Sequence, residues 1–129
     1  MIKIGTDITS VKRISSAYKR FGQRFLERIL TEQEMRYVLS QAPHTVSRVA
    51  GRFAAKEAAS KMLGTGWHGI GWKEIEISRL PSGEPQLKLH GRAAAIAQSK
   101  RLDRFEVSIS HEREFAISTV LAYGPADEP

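Results

Sequence analysis

Residues 46–63 restrict most narrowly what this chain can fold into. Val46, Val49, Ala50 and Phe53 recur at three- and four-residue spacing, no proline interrupts the segment, and Gly64 follows it. One long helix is expected there, with the glycine as its C-terminal stop. At 100° per residue Glu57 falls about 20° from Val46, on the apolar side, and Lys61 follows one turn later. An ionised carboxylate on an apolar face costs several kcal/mol unless it is paired, protonated or bound to a metal. Glu57 is therefore bridged by Lys61 or Arg52, exposed at the edge of the face, or a ligand.

Shorter elements surround that helix. Ile2-Lys3-Ile4-Gly5-Thr6-Asp7 alternates apolar with small or polar residues, the pattern of a short strand whose end delivers Asp7. Asp7 is placed either to cap the next helix or to join Glu57 at a cation, since Mg²⁺ takes one or two carboxylates and fills its other positions with water and phosphate oxygens. Val11, Ile14, Ala17, Tyr18, Phe21 and Phe25 trace an amphipathic helix that bends or breaks at Gly22. Thr31-Glu32-Gln33-Glu34 reads as a capping box opening a further helix that stops before Pro43. Downstream, strands are expected over residues 72–78 and 86–90 as a hairpin, a short Ala-rich helix over 91–100, and strands over 105–110 and 115–122. The last strand is apolar on both faces, which suits a central strand or an interface. The architecture expected is α+β: a mainly antiparallel sheet packed against one long helix and several short helices, in one domain over residues 1–124, with a loose polar tail over 125–129.

Composition narrows the function. The 129 residues contain no cysteine, which excludes a disulfide scaffold, thiolate zinc sites and a cysteine nucleophile. No stretch approaches the ~20 apolar residues of a membrane helix, and Asp7 comes too early for a secretion signal, so a soluble cytoplasmic protein is expected. The net charge of +6 is uneven: residues 1–60 carry 11 basic and 5 acidic side chains, whereas residues 61–129 carry 9 of each. Arg13, Arg20, Arg24 and Arg28 fall within about 80° of one another if their helix stays regular, forming either a solvated face or a stripe for an acidic partner. A nucleic-acid-binding domain would show the same stripe. That alternative leaves Asp7 and Glu57 unexplained.

Lys61 beside Gly64 and Gly66 suits a phosphate, though a helix cap and loop account for both glycines without a ligand. His111 reads most simply as a turn residue. Taken together, Ile4-Gly5-Thr6-Asp7-Ile8, Arg13-Ile14, Gly51-Arg52-Phe53-Ala54-Ala55-Lys56-Glu57-Ala58, Lys61, Gly64-Thr65-Gly66, Gly83-x-Pro85 and Ser108-Ile109-Ser110-His111-Glu112 stand in the order and spacing of the holo-[acyl-carrier-protein] synthases. The chain resembles these small single-domain bacterial 4′-phosphopantetheinyl transferases from residue 2 to about 122.

The resemblance implies that family's fold and an enzyme that moves the 4′-phosphopantetheine arm of coenzyme A onto a serine of apo-acyl carrier protein. Adenosine 3′,5′-bisphosphate would be released, Mg²⁺ required, and a homotrimer formed with active sites at subunit interfaces. Asp7 and Glu57 match the metal ligands, with Lys61 completing the catalytic set as a phosphate-contacting lysine. Gly64, Thr65 and Gly66 match the loop beside the nucleotide. His111 matches a histidine set against the coenzyme A phosphates, and Arg52 is grouped with these cofactor contacts. Arg13 matches the arginine that meets the carrier protein; Arg20, Arg24 and Arg28 join it on charge and geometry.

Overall fold

The computed structural model describes residues 1–125; of the tail, residues 126–129 lie outside the described residues. In chain order the elements are β1 (Ile2–Ser10), α1 (Val11–Phe21), α2 (Gln23–Ile29), α3 (Glu32–Leu39), α4 (Thr45–Leu63), β2 (Ile75–Arg79), β3 (Pro85–Leu89), α5 (Gly91–Ser99), β4 (Arg104–His111) and β5 (Phe115–Tyr123). Short 3-10 turns cover Ala42–His44 and Trp72–Glu74. The α+β architecture is as expected, with the antiparallel strands divided between a three-stranded sheet in the order β1-β5-β4 and the hairpin β2-β3.

Two local departures have local causes, and the expected break at Gly22 is present. The first strand runs past Asp7 to Ser10, whose hydroxyl accepts the Arg13 N–H at 3.3 Å, so Ser10 rather than Asp7 caps α1. Gly22, at φ 62°, turns the chain between α1 and α2. The four arginines therefore sit on two helices and not on one continuous stripe. The hairpin's first strand starts three residues later than expected, because the Glu74 carboxylate takes the Gly71 N–H at 2.8 Å and curls residues 72–74 into a turn. The Thr31–Glu34 capping box forms as expected, and Gly64 ends α4 in the left-handed conformation at φ 81°.

Helix α4 is the axis of the molecule. Its Ala-rich middle is buried nearly all round, leaving no solvated face of the usual width. On one side Ala55, Ala58, Ala59, Met62 and Leu63 pack with Ile75, Ile77, Leu87, Ala93, Ala97 and Val120. On the other, Val49, Ala50 and Ala54 pack with Ile14, Leu26, Ile29, Leu30 and Val38. Small residues let β1 lie against the helix backbone: a Cβ built on Gly5 would overlap the Ala58 carbonyl oxygen and stand 2.7 Å from Met62 N. This close approach carries Asp7, two residues on, to α4.

The charge most deeply buried on α4 belongs to Lys56. Its Nζ meets Glu34 Oε1 at 2.7 Å and donates to the Trp72 carbonyl at 3.0 Å. Glu34 also accepts the Thr31 and Ile77 N–H groups at 2.8 and 2.7 Å, so one carboxylate ties α3, α4 and β2 together. Burial holds the Lys56 ammonium below its ordinary pKa, with Glu34 opposing that shift.

The far face of the three-stranded sheet has a different character. Alternate residues of β1 and β5 point away from α4, leaving Ile2, Ile4 and Ile8 at 61%, 65% and 60% exposure, with Phe115 and Ile117 beside them at 41% and 46%.

Candidate active site

Asp7 faces α4 because it shares the inward set of β1 with Gly5 and Thr9. Its Oδ2 accepts the Thr9 hydroxyl at 2.7 Å and its Oδ1 lies 3.2 Å from Lys61 Nζ, which also donates to the Thr6 carbonyl at 3.1 Å. Lys61 thus stands one turn beyond Glu57, as the helical spacing requires, but reaches across to the strand. Glu57 is half-buried, and its Oε1 accepts the Trp67 indole N–H at 3.3 Å. Asp7 and Glu57 open into one cleft of about 360 Å³, walled by Ile8, Ile14, Ala17, Phe25 and Phe53, with Thr9 and Arg13 at its margin.

Two carboxylates here are joined by no third carboxylate, His or Cys in a metal-binding group among the described residues. That donor set, hard oxygen and few protein ligands, fits Mg²⁺, which retains waters and takes substrate phosphate oxygens. It does not resemble the nitrogen- and sulfur-rich four-ligand shell of a structural zinc site.

The remaining expected residues are distributed as follows. Gly64 and Gly66 have φ of 81° and 54°, and their N–H groups close on the Lys61 and Ser60 carbonyls at 3.0 and 3.2 Å. Those two amides are spent on the end of α4, while Thr65 between them donates its hydroxyl to the Gly66 carbonyl at 2.9 Å. Arg52 is about 140° round the helix from Glu57. It is buried and lies 4.2 Å from the Tyr37 ring, which Arg48 and Arg79 approach at 4.2 and 4.4 Å. Its Nε is buried without a hydrogen-bond partner, and burial holds its guanidinium below the usual pKa.

His111 ends β4. Asp7 pairs with Ser118 and Ser118 with Ile109, so His111 lies two strands across and two residues along from Asp7, roughly 12 Å at the backbone. Where β4 crosses α4, a Cβ on Gly51 would meet Ile109 at 3.1 Å. Within one chain, then, Asp7, Glu57, Lys61 and Arg13 gather at one place, while Arg52 lies beside Tyr37 and His111 at the end of β4, each apart from it.

A profile of the 4′-phosphopantetheinyl transferase superfamily matches residues 3–120. The holo-[acyl-carrier-protein] synthase of Gloeobacter violaceus is 49% identical over 123 residues, covering 95% of this chain and 92% of that one. The chain belongs to the holo-[acyl-carrier-protein] synthase family, within that superfamily. It is an enzyme of the transferase class. The crystal structure of the Neisseria meningitidis family member superposes with a TM-score of 0.87 at 36% identity, covering 95% of this chain and 99% of that one. The Helicobacter pylori synthase, crystallised in complex with coenzyme A, gives 0.81 at 35% identity, with coverage of 93% and 99%.

Family membership leaves several groups of this chain to be found in the structure. Thr9 was legible in principle, since a period of two puts it beside Asp7 on the strand. Trp67 was not, because only the path of a glycine-rich loop returns it to Glu57. The arginines around Tyr37 come from α4 and the end of β2, and no sequence window contains them.

Surface features near the cleft bear on partners. Ala17 and Phe25 line both the Asp7 cleft and a neighbouring depression edged by Phe21, Arg24, Arg28 and Ile29. Arg20 packs over the Phe21 ring at 5.1 Å. Among the described residues no helix is long and apolar enough to cross a membrane.

Proposed function

We propose that this chain transfers the 4′-phosphopantetheine arm of coenzyme A to a serine of an apo-acyl carrier protein, with Mg²⁺, releasing adenosine 3′,5′-bisphosphate. The observation that carries the reading is the meeting of Asp7 from β1 and Glu57 from α4 in one cleft, in a chain of which 93% superposes on a synthase crystallised with coenzyme A.

The chemistry asks for positioning and charge neutralisation more than for covalent participation by the protein. Asp7 and Glu57 are the residues that would hold Mg²⁺. When bound, the ion supplies positive charge to the diphosphate oxygens. Lys61, with its ammonium on Asp7 and its side chain half in solvent, adds a second cation to the same place. The carrier serine oxygen attacks the phosphorus bearing the pantetheine arm, and the bond from that phosphorus to the bridging oxygen breaks. The adenosine bisphosphate leaves with the bridging oxygen, and the serine proton passes to the Glu57 carboxylate, directly or through a water. The chain contributes no nucleophile of its own.

The carrier protein would dock over Arg13, Arg24 and Arg28, where the apolar floor of Phe21, Phe25 and Ile29 adjoins the cleft. Arg20 extends the same basic surface. A cytoplasmic homotrimer belongs to the same reading. Its support is the apolar outer sheet face, together with the distance of His111 from Asp7, which a neighbouring subunit would bridge by bringing its own copy to the cleft.

The test is direct. Protein, apo-carrier, coenzyme A and Mg²⁺ are incubated, and mass spectrometry is expected to show one phosphopantetheine added per carrier. Asp7→Asn and Glu57→Gln should each abolish the addition while leaving the circular dichroism spectrum intact. Near-normal turnover in either variant, or in chelator-treated protein, overturns the assignment.

A further inference from the structure

The Glu57 carboxylate is held by a group that its own helix does not supply. Phe53, one turn earlier on α4, stacks on Trp72 with ring centroids 5.0 Å apart and planes at 29°. Trp72 stacks in turn on Trp67 at 3.8 Å and 23°. Trp67 then donates its indole N–H to Glu57 Oε1 at 3.3 Å. The ladder starts from α4 at residue 53 and returns to it at residue 57. Both of its ends are therefore fixed by one rigid element.

The middle of the ladder is fixed as well. The Trp72 carbonyl takes the hydrogen bond of the buried Lys56 ammonium at 3.0 Å, and the loop leading to Trp67 is tied to the helix end by Gly66 N–H on the Ser60 carbonyl. An indole has two side-chain torsions and a single donor, so once its ring is stacked the direction of its N–H is set. A carboxylate on a long, half-exposed glutamate otherwise samples several rotamers.

We propose that Trp67 is a positioning residue for Glu57: its N–H occupies one carboxylate oxygen and so presents the other to the cation and substrate in the cleft. Asp7 likewise has one neutral donor, the Thr9 hydroxyl on Oδ2, while its Oδ1 faces the Lys61 ammonium. The proposal rests on the reading of Glu57 as a metal ligand. Groups that orient metal ligands typically change metal affinity or activity by about 10–100-fold when lost.

The experiment measures Mn²⁺ binding by the electron paramagnetic resonance of the free ion, without substrates, on the full chain. In Trp67→Phe, and in protein carrying benzothienylalanine at position 67, the ring remains and the N–H is gone. The second variant preserves the indole shape, which keeps the test valid if phenylalanine loosens the loop. Mn²⁺ binding is expected to weaken about tenfold, with the melting temperature and the KM for carrier protein unchanged and kcat reduced. Unchanged Mn²⁺ affinity in the benzothienylalanine protein overturns the proposal. Glu57→Gln separates the two levels. If it loses Mn²⁺ while the Trp67 variants bind normally, only the role of Trp67 falls; if it binds Mn²⁺ like the unsubstituted protein, the metal reading falls and this inference with it.

Discussion

Lys56 Nζ stands 2.7 Å from Glu34 Oε1 with both side chains wholly screened from water. Removing one partner from such a pair strands a charge in the interior. Lys56→Met and Glu34→Gln should each cost about 3–5 kcal/mol, whereas the double variant recovers part of the loss because no charge is left buried and the glutamine oxygen still accepts one of the Thr31 and Ile77 N–H groups. Denaturant unfolding of the four proteins of this cycle measures it, and additive losses would show that the two charges do not act as a unit.

Gly5 makes the approach of β1 to α4 possible. In Gly5→Ala the added methyl meets the Ala58 carbonyl oxygen and Met62 N, both backbone atoms that cannot rotate away. A loss of at least ~1–3 kcal/mol is expected from the overpacking. Because the strand must lift from the helix that carries Glu57, transfer activity should fall further than the melting temperature alone accounts for. Equal activity per folded molecule would show that the strand tolerates the shift.

Arg24 lies beside the cleft and lines none of it. Reversing its charge in Arg24→Glu is expected to raise the KM for the carrier protein severalfold, to leave the KM for coenzyme A unchanged, and to flatten the salt dependence of the carrier KM. Steady-state kinetics with each substrate varied in turn separate these effects; a parallel rise in both KM values argues against a docking role.

Ile117 sits opposite Ile8 on the outward sheet face and is 46% exposed. Apolar residues concentrated this way mark an interaction surface. On the proposed homotrimer, Ile117→Lys should shift the sedimentation mass from trimer to monomer and remove turnover while preserving the secondary structure, since the substituted side chain already points away from α4. A native protein sedimenting as a monomer would refute the assembly.

Glu76 accepts the Thr31 hydroxyl at 2.6 Å and lies 3.1 Å from His90 Nε2. Burial pulls its pKa upward, but the Thr31 and His90 hydrogen bonds and the nearby charges of His90 and Lys88 outweigh it, so the folded value is below the ordinary 4.5. The unfolded chain binds this proton first. The stability Glu76 contributes is therefore complete above about pH 4.5 and disappears as pH falls through the lower folded value. Melting temperatures measured from about pH 6 down to about pH 3 should fall less steeply in Glu76→Gln than in the unsubstituted protein.

Much of the fold was legible from local pattern. The long helix, its glycine stop, the Thr31–Glu34 capping box and the strand at each end of the chain all rest on periodicity and on side-chain-to-backbone bonds within four residues. The wheel that put Glu57 beside Val46 correctly singled out a carboxylate on an otherwise buried helix. It also drew attention away from Lys56, because a periodicity argument ranks faces by average polarity and α4, ringed by two clusters and a sheet, has almost no solvated face.

What the sequence determined by itself was which residues would be helical or extended, where the excess positive charge lies, and, through its ordered motifs, the family. Tertiary structure alone decided which charges meet. Lys61 binds Asp7 and not its helical neighbour Glu57, Glu34 serves as both cap and counter-ion to Lys56, and Trp67 closes a ring of aromatic contacts onto Glu57. The first and last of these pairings depend on how closely β1 and the 64–71 loop approach α4. That distance is set by Gly5 and the small residues of α4 acting together across more than fifty positions of chain, beyond the reach of any rule that reads neighbours in sequence.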